Sequence, residues 1–110
     1  MNPVKNAEFK ELNQMTIDVA EKFFFAKKMH DLKQGHFLAE KDFDEDDPYD
    51  NYLLKVQTAY DTLNELEKNL INNEFFYQNY NQWWKALYSK ASFYRYKKEA
   101  MQKFLEAIYE

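Results

Sequence analysis

The chain has 110 residues, one domain's worth, with a net charge of −4, ten Phe, nine Tyr and two Trp, a single glycine and no cysteine. One glycine excludes glycine-rich phosphate loops and dinucleotide fingerprints, which need several backbone positions uncrowded by a Cβ. The lack of cysteine excludes disulfides, thiolate zinc sites and a cysteine nucleophile, and points to a reducing intracellular setting. At 31% charged and 45% hydrophobic, the composition lies far from that of disordered chains. No apolar run approaches the ~18–20 residues of a membrane span, and Met1-Asn2-Pro3-Val4-Lys5 lacks the apolar core of a secretion signal. The expected location is the cytoplasm, without a membrane partner.

Residues 5–34 contain neither Gly nor Pro and place Phe9, Leu12, Thr16, Val19, Phe23 and Ala26 three and four apart, which predicts a helix. Lys27, Lys28 and Lys33 near its end, followed by Gly35, form a stop signal. Residues 36–47 are broken up and acidic and are expected as a loop. Asp47-Pro48 opens a second helix over 48–71, Asp as N-cap and Pro at the first helical position, with an apolar face of Tyr52, Val56, Ala59, Leu63, Leu66 and Leu70. Asn72-Asn73 marks a break. Beyond it, Phe76, Tyr80, Trp83, Trp84 and Leu87 fall on one helical face, Tyr88-Ser89 forms a join, and Ser89 caps a last helix over 90–109. That helix carries apolar residues at Phe93, Tyr96, Ala100, Phe104 and Ile108. No period-2 alternation occurs, so the fold class is all-α, a small bundle of about four helices.

Charge is unevenly spread. Residues 1–35 carry +1, residues 36–70 carry −7 and residues 71–110 carry +2. Between Lys85 and Lys98 lie Lys85, Lys90, Arg95, Lys97 and Lys98 with no acid, interleaved with Tyr88, Phe93, Tyr94 and Tyr96. A basic helix face can be plain solvated surface, or one half of an intramolecular charge match. It is also how the second helix of a helix-turn-helix meets a major groove.

The stretch Trp83-Trp84-Lys85-Ala86-Leu87-Tyr88-Ser89-Lys90-Ala91-Ser92-Phe93-Tyr94-Arg95-Tyr96-Lys97-Lys98-Glu99-Ala100-Met101 resembles the last two helices of sigma-70 region 4. It looks still more like the ArpU-type phage transcriptional regulators, whose recognition helix follows a Ser-Lys-Ser-Thr-x-Tyr-Arg pattern and ends in Lys-Lys-x-Ala-Leu. The resemblance runs from Leu66 to Phe104. It implies that Trp83–Leu87 ends the first helix of the motif, Tyr88-Ser89 is the turn and Lys90–Ile108 is the recognition helix, within a helix-turn-helix over 73–109. A second resemblance, to the TetR-type helix-turn-helix, rests on the Ser-Lys-x-x-x-Tyr-x-Tyr pattern at Ser89–Tyr96.

The residues agree with this on their own terms. Ser89 can cap; Ala91 and Ser92 are small enough for close approach to base edges; Phe93, Tyr96 and Ala100 can face inward. Lys90, Tyr94, Arg95 and Lys98 then face outward, and Arg95, the one arginine of the chain, carries the group suited to bidentate contact with guanine or phosphate. If all five cations of the window met phosphates, log K would fall against log[salt] with a slope of about −4.5.

Other candidates are weaker. Asp42, Asp44 and Asp46 alternate as at the start of a calcium loop, but the sixth position would be Asp47 and the twelfth Leu53, so a solvated acidic loop is expected instead. As a phosphate mimic, that loop could cover the basic helix. His30, His36 and Glu40 lack a metal-site logic and read as surface or helix-end residues. Of Trp83 and Trp84, one is expected in the core and one partly exposed. No nucleophile motif points to an enzyme, and no cofactor is implied.

Sequence thus predicts a DNA-binding transcriptional regulator or sigma-like factor of phage or low-GC bacterial type. Its nucleic-acid-binding residues are Lys85, Ser89, Lys90, Ser92, Tyr94, Arg95 and Lys98. Double-stranded DNA is the partner, with RNA polymerase or a second copy as further partners. The rival is a non-catalytic helical interaction or assembly module that does not touch DNA.

Overall fold

The protein is described from a computed structural model covering residues 3–34 and 46–109. Among these there are four α-helices and no strand: α1 Phe9–Gln34, α2 Pro48–Asp61, α3 Glu65–Ile71 and α4 Lys90–Ile108. A π-helical turn, Asn72–Phe76, and a 3-10 turn, Trp83–Ala86, lie between α3 and α4. None of these helices is long and apolar enough to cross a membrane. The expected acidic loop at 36–47, the calcium-like triplet and the set His36 and Glu40 lie largely or wholly outside the described residues.

Helix α1 starts at Phe9 rather than residue 5, because Val4 to Asn6 form a turn closed by Ala7 N–H donating to the Val4 carbonyl at 3.1 Å. Val4 is fully buried there and Glu11 folds back onto the Glu8 N–H at 3.1 Å, supplying an acceptor for the first helical turn. Leu12, Thr16, Val19 and Ala26 face the core as the spacing predicts. Thr16 is admitted because its hydroxyl donates to the Leu12 carbonyl at 2.7 Å.

The helix expected over 48–71 is two helices. Asp47 caps α2 by accepting from the Tyr49 and Asp50 N–H groups at 2.8 and 3.1 Å, with Pro48 at the first position. At the other end the Thr62 hydroxyl donates to the Ala59 carbonyl at 2.6 Å, drawing off an acceptor at the helix end. Asn64 then starts α3 with a capping box: its side chain accepts from Glu67 N–H at 2.9 Å, and Glu67 accepts from Asn64 N–H at 2.8 Å. The corner bends the chain while Leu63, Leu70 and Ile71 all stay buried.

The core joins the inner faces of all four helices, with Leu12, Leu70, Phe93, Met101, Phe104 and Leu105 nearly or fully buried. Burial of such side chains stabilises by roughly 1.5–3 kcal/mol each. Helix α1 packs on α2, and α1, α2 and α3 all pack on α4, so α4 is held by the three other helices.

Candidate nucleic-acid interface

The segment before α4 departs most from expectation. In place of a helix through Phe76, Tyr80 and Trp83, the chain makes one π turn, an irregular stretch at 77–82 and a single 3-10 turn. Backbone bonds that skip the helical register, helped by the Asn79 side chain, replace the helical ladder here. Tyr77 N–H reaches back five residues to the Asn72 carbonyl at 2.7 Å, and Asn79 N–H donates to the Asn73 carbonyl at 2.9 Å. Asn79 also accepts from Tyr80 N–H at 2.8 Å. Gln82 then adopts a left-handed conformation with φ 60°, while Leu87, at φ −105°, closes the turn before α4 without one. The element expected as the first helix of a helix-turn-helix is therefore reduced to the 3-10 turn Trp83–Ala86.

Aromatic packing fixes this turn on α4. Trp83 is 6% exposed and donates Nε1–H to Glu74 Oε2 at 2.7 Å. Trp84 is half-buried and stacks on Phe93, centroids 4.4 Å apart and planes 10° apart. One tryptophan in the core and one partly exposed is what the sequence led one to expect. Ser89 caps α4 as predicted, its hydroxyl oxygen accepting from Ser92 N–H at 3.2 Å.

With Phe93 turned inward, Lys90, Tyr94 and Lys98 form a stripe along the solvent side of α4, Arg95 lies beside it, and Lys85 projects from the 3-10 turn; all five are exposed. Arg95 lies over the Tyr96 ring at 5.0 Å, and Tyr94 packs edge-on to Phe9 of α1 at 5.5 Å. Of the remaining predicted site residues, Ser92 is half-buried, and the exposed Ser89 accepts the cap bond through its oxygen while its O–H stays available as a donor. Among the described residues, Lys85, Lys90, Arg95 and Lys98 have no carboxylate within ion-pair distance, whereas Lys97 and Lys103 are paired with Glu74 and Glu67 at 2.8 and 3.2 Å.

Lys97 leaves the expected set of five cations. Its side chain is 12% exposed, its ammonium sits on Glu74, and it lies over the rings of Phe9, Phe75 and Phe93 at 5.6, 5.2 and 6.0 Å. Glu74 was not singled out from sequence, although it is the one carboxylate between Glu67 and Glu99. A lone acid ahead of a cation-rich window is the signal that would have found it.

A groove of about 600 Å³ opens between the 3-10 turn and the first turns of α4, where Asn81, Gln82, Trp84, Lys85, Lys90 and Tyr94 line it. Sequence reasoning did not anticipate it, because it exists only where residues 77–82 fail to be helical.

His30, expected near the surface, is 4% exposed and bonds through Nδ1 to Oδ1 of the fully buried Asp50 at 2.6 Å, tying α1 to the start of α2. That pair is far in sequence from the basic surface and reads as structural. Comparison of the chain with protein-family models, with curated proteins and with solved structures finds no match, so the functional reading stands on the geometry of these residues alone.

Proposed function

We propose that the protein binds double-stranded DNA through the first two turns of α4, as a transcriptional regulator with α4 as its reading helix. The observation that carries this is the set of four exposed cations, Lys85, Lys90, Arg95 and Lys98, around the capped start of one helix, none with an ion partner among the described residues. In a chain of net charge −4 such a local excess marks the side that meets a polyanion. Lys85 and Lys90 suit phosphates, while Arg95 has the planar fork for guanine or phosphate and Ala91 leaves room for close approach. Four contacts give modest affinity, so a second copy or RNA polymerase would supply the rest of the specificity.

Fluorescence polarisation with a random-sequence duplex at ~50 and ~200 mM salt tests the reading. With four phosphate contacts the slope of log K against log[salt] is about −3.6, a loss of roughly a hundredfold across that range. Arg95→Ala and Lys98→Ala should each reduce the slope by about 0.9. Curves that stay flat at both salts refute the proposal.

The second reading, an assembly module, is favoured by apolar residues exposed on α1: Phe24 at 43%, Phe25 at 54% and Leu32 at 64%. It predicts concentration-dependent self-association in sedimentation velocity that Phe25→Ser abolishes, with no response to DNA.

A further inference from the structure

We propose that the groove between the 3-10 turn and α4 receives one unpaired base of single-stranded DNA, Trp84 and Tyr94 providing the stacking surface and Lys85 and Lys90 holding the flanking phosphates. The inference rests on the DNA-binding reading above and adds a substrate form to it. Three features of the groove point the same way.

Its size, about 600 Å³, falls within the roughly 300–1,000 Å³ of small-ligand sites and accommodates a planar base with its sugar. Its charge is positive: Lys97 and Glu74 neutralise each other in its wall, leaving Lys85 and Lys90, which have no ion partner among the described residues, as a net excess that calls for an anion. Its chemistry is that of a base, with ring surface from Trp84 and Tyr94 and amide donors and acceptors from Asn81 and Gln82.

The geometry also selects the single strand. In a duplex the faces of the bases are stacked on one another and only edges are offered in the grooves. A recessed ring can meet a base face only when that base has left the stack. Trp84 is prepared for this, because Phe93 lies parallel beneath it at 4.4 Å and fixes its plane before any ligand arrives. One face of the indole is thereby covered, so the groove takes one base per copy. The two lysines bring the positive charge that the flanking phosphates need, and the Ser89 hydroxyl, which accepts from Ser92 N–H, keeps its own O–H as a neutral donor beside them.

The full chain is titrated with three probes: oligothymidylate of about eight nucleotides, a duplex closed at both ends by non-nucleotide linkers and so without unpaired bases, and thymidine monophosphate. Tryptophan emission and polarisation are read for the wild type, Trp84→Ala and Trp84→Phe at a temperature well below the unfolding midpoint of each, after a cooperative transition has shown each variant folded. The expected result is quenching by the oligomer, at least about fivefold weaker oligomer binding in Trp84→Ala, near-normal binding in Trp84→Phe, and duplex binding unchanged throughout. Oligomer binding indifferent to Trp84→Ala, or a mononucleotide bound as tightly as the oligomer, overturns the groove assignment while leaving the duplex reading intact. Oligomer binding that depends on Trp84 without any duplex binding upholds the groove and overturns the duplex reading. Absence of binding by both overturns both.

Discussion

Glu74 is the residue whose removal should most disturb the surface that carries the proposed function. Its two carboxylate oxygens accept from Trp83 Nε1 at 2.7 Å and Lys97 Nζ at 2.8 Å, so one side chain ties the π turn to the 3-10 turn and to α4. In Glu74→Ala both donors lose that acceptor. Trp83 is 6% exposed and the Lys97 side chain 12%, so neither regains full hydration. A buried donor left unsatisfied costs about 1–3 kcal/mol. Lys97 keeps its ring contacts and some water, placing its share at the lower end, and the two together come to about 2–4 kcal/mol. For a chain of this size that lowers Tm by roughly 10–20 °C. Glu74→Gln retains an oxygen for the indole and should recover about half of the loss. The assay is urea unfolding followed by tryptophan emission, with Lys97→Met added to complete a double-mutant cycle, in which a coupling of about 1 kcal/mol is expected. A Glu74→Ala protein within about 0.5 kcal/mol of wild type would refute the view that this carboxylate organises the segment.

Two further outcomes concern one buried and one half-buried polar group, Asp50 and Tyr52. Asp50→Ala removes the carboxylate bonded to His30 between α1 and α2, and should cost about 3 kcal/mol or more in chemical denaturation, with the DNA salt slope unaffected; an unchanged midpoint argues against the pair. Tyr52 donates its hydroxyl to the Val19 carbonyl at 3.4 Å, and burial, with smaller contributions from Tyr109 and Asp18, pushes its phenol from 10.0 up to about 12. The unfolded phenol ionises first, so the stability this group contributes is intact below about pH 10 and is lost as pH rises toward about 12. Wild type should therefore lose stability faster than Tyr52→Phe across that window, and parallel profiles would contradict the assignment.

Much of the scaffold was legible because local chemistry and burial agree there. Asp47-Pro48 and Ser89 cap α2 and α4 where the residues say they should, and the three- and four-residue spacing of Leu12, Val19, Val56 and Phe104 matches their burial. The break at residues 62–64 was also written in the chain, as the Asn64 and Glu67 capping box, but an unbroken apolar spacing across it concealed the corner. The outward cations of α4 were legible too, since a helix with Phe93 and Ala100 inward must turn Arg95 and Lys98 outward.

The all-α class, the capped helices and the basic start of the last one can be read along the chain, because spacing, caps and charge are local properties. Which cations stay exposed and unpaired is set by the packing: Lys97 has the same local credentials as Lys98, and a carboxylate 23 residues away withdraws it from the surface. Tertiary structure likewise decided that residues 77–82 abandon the helix their aromatic spacing suggested. The Asn79 side chain bonds to Asn73 of the π turn and to the Tyr80 N–H, Trp83 drops into the core, and the space left beside Trp84 becomes the groove. The same aromatic spacing fits a continuous helix and this folded-back path, and the long-range bond from Glu74 to Lys97 favours the second.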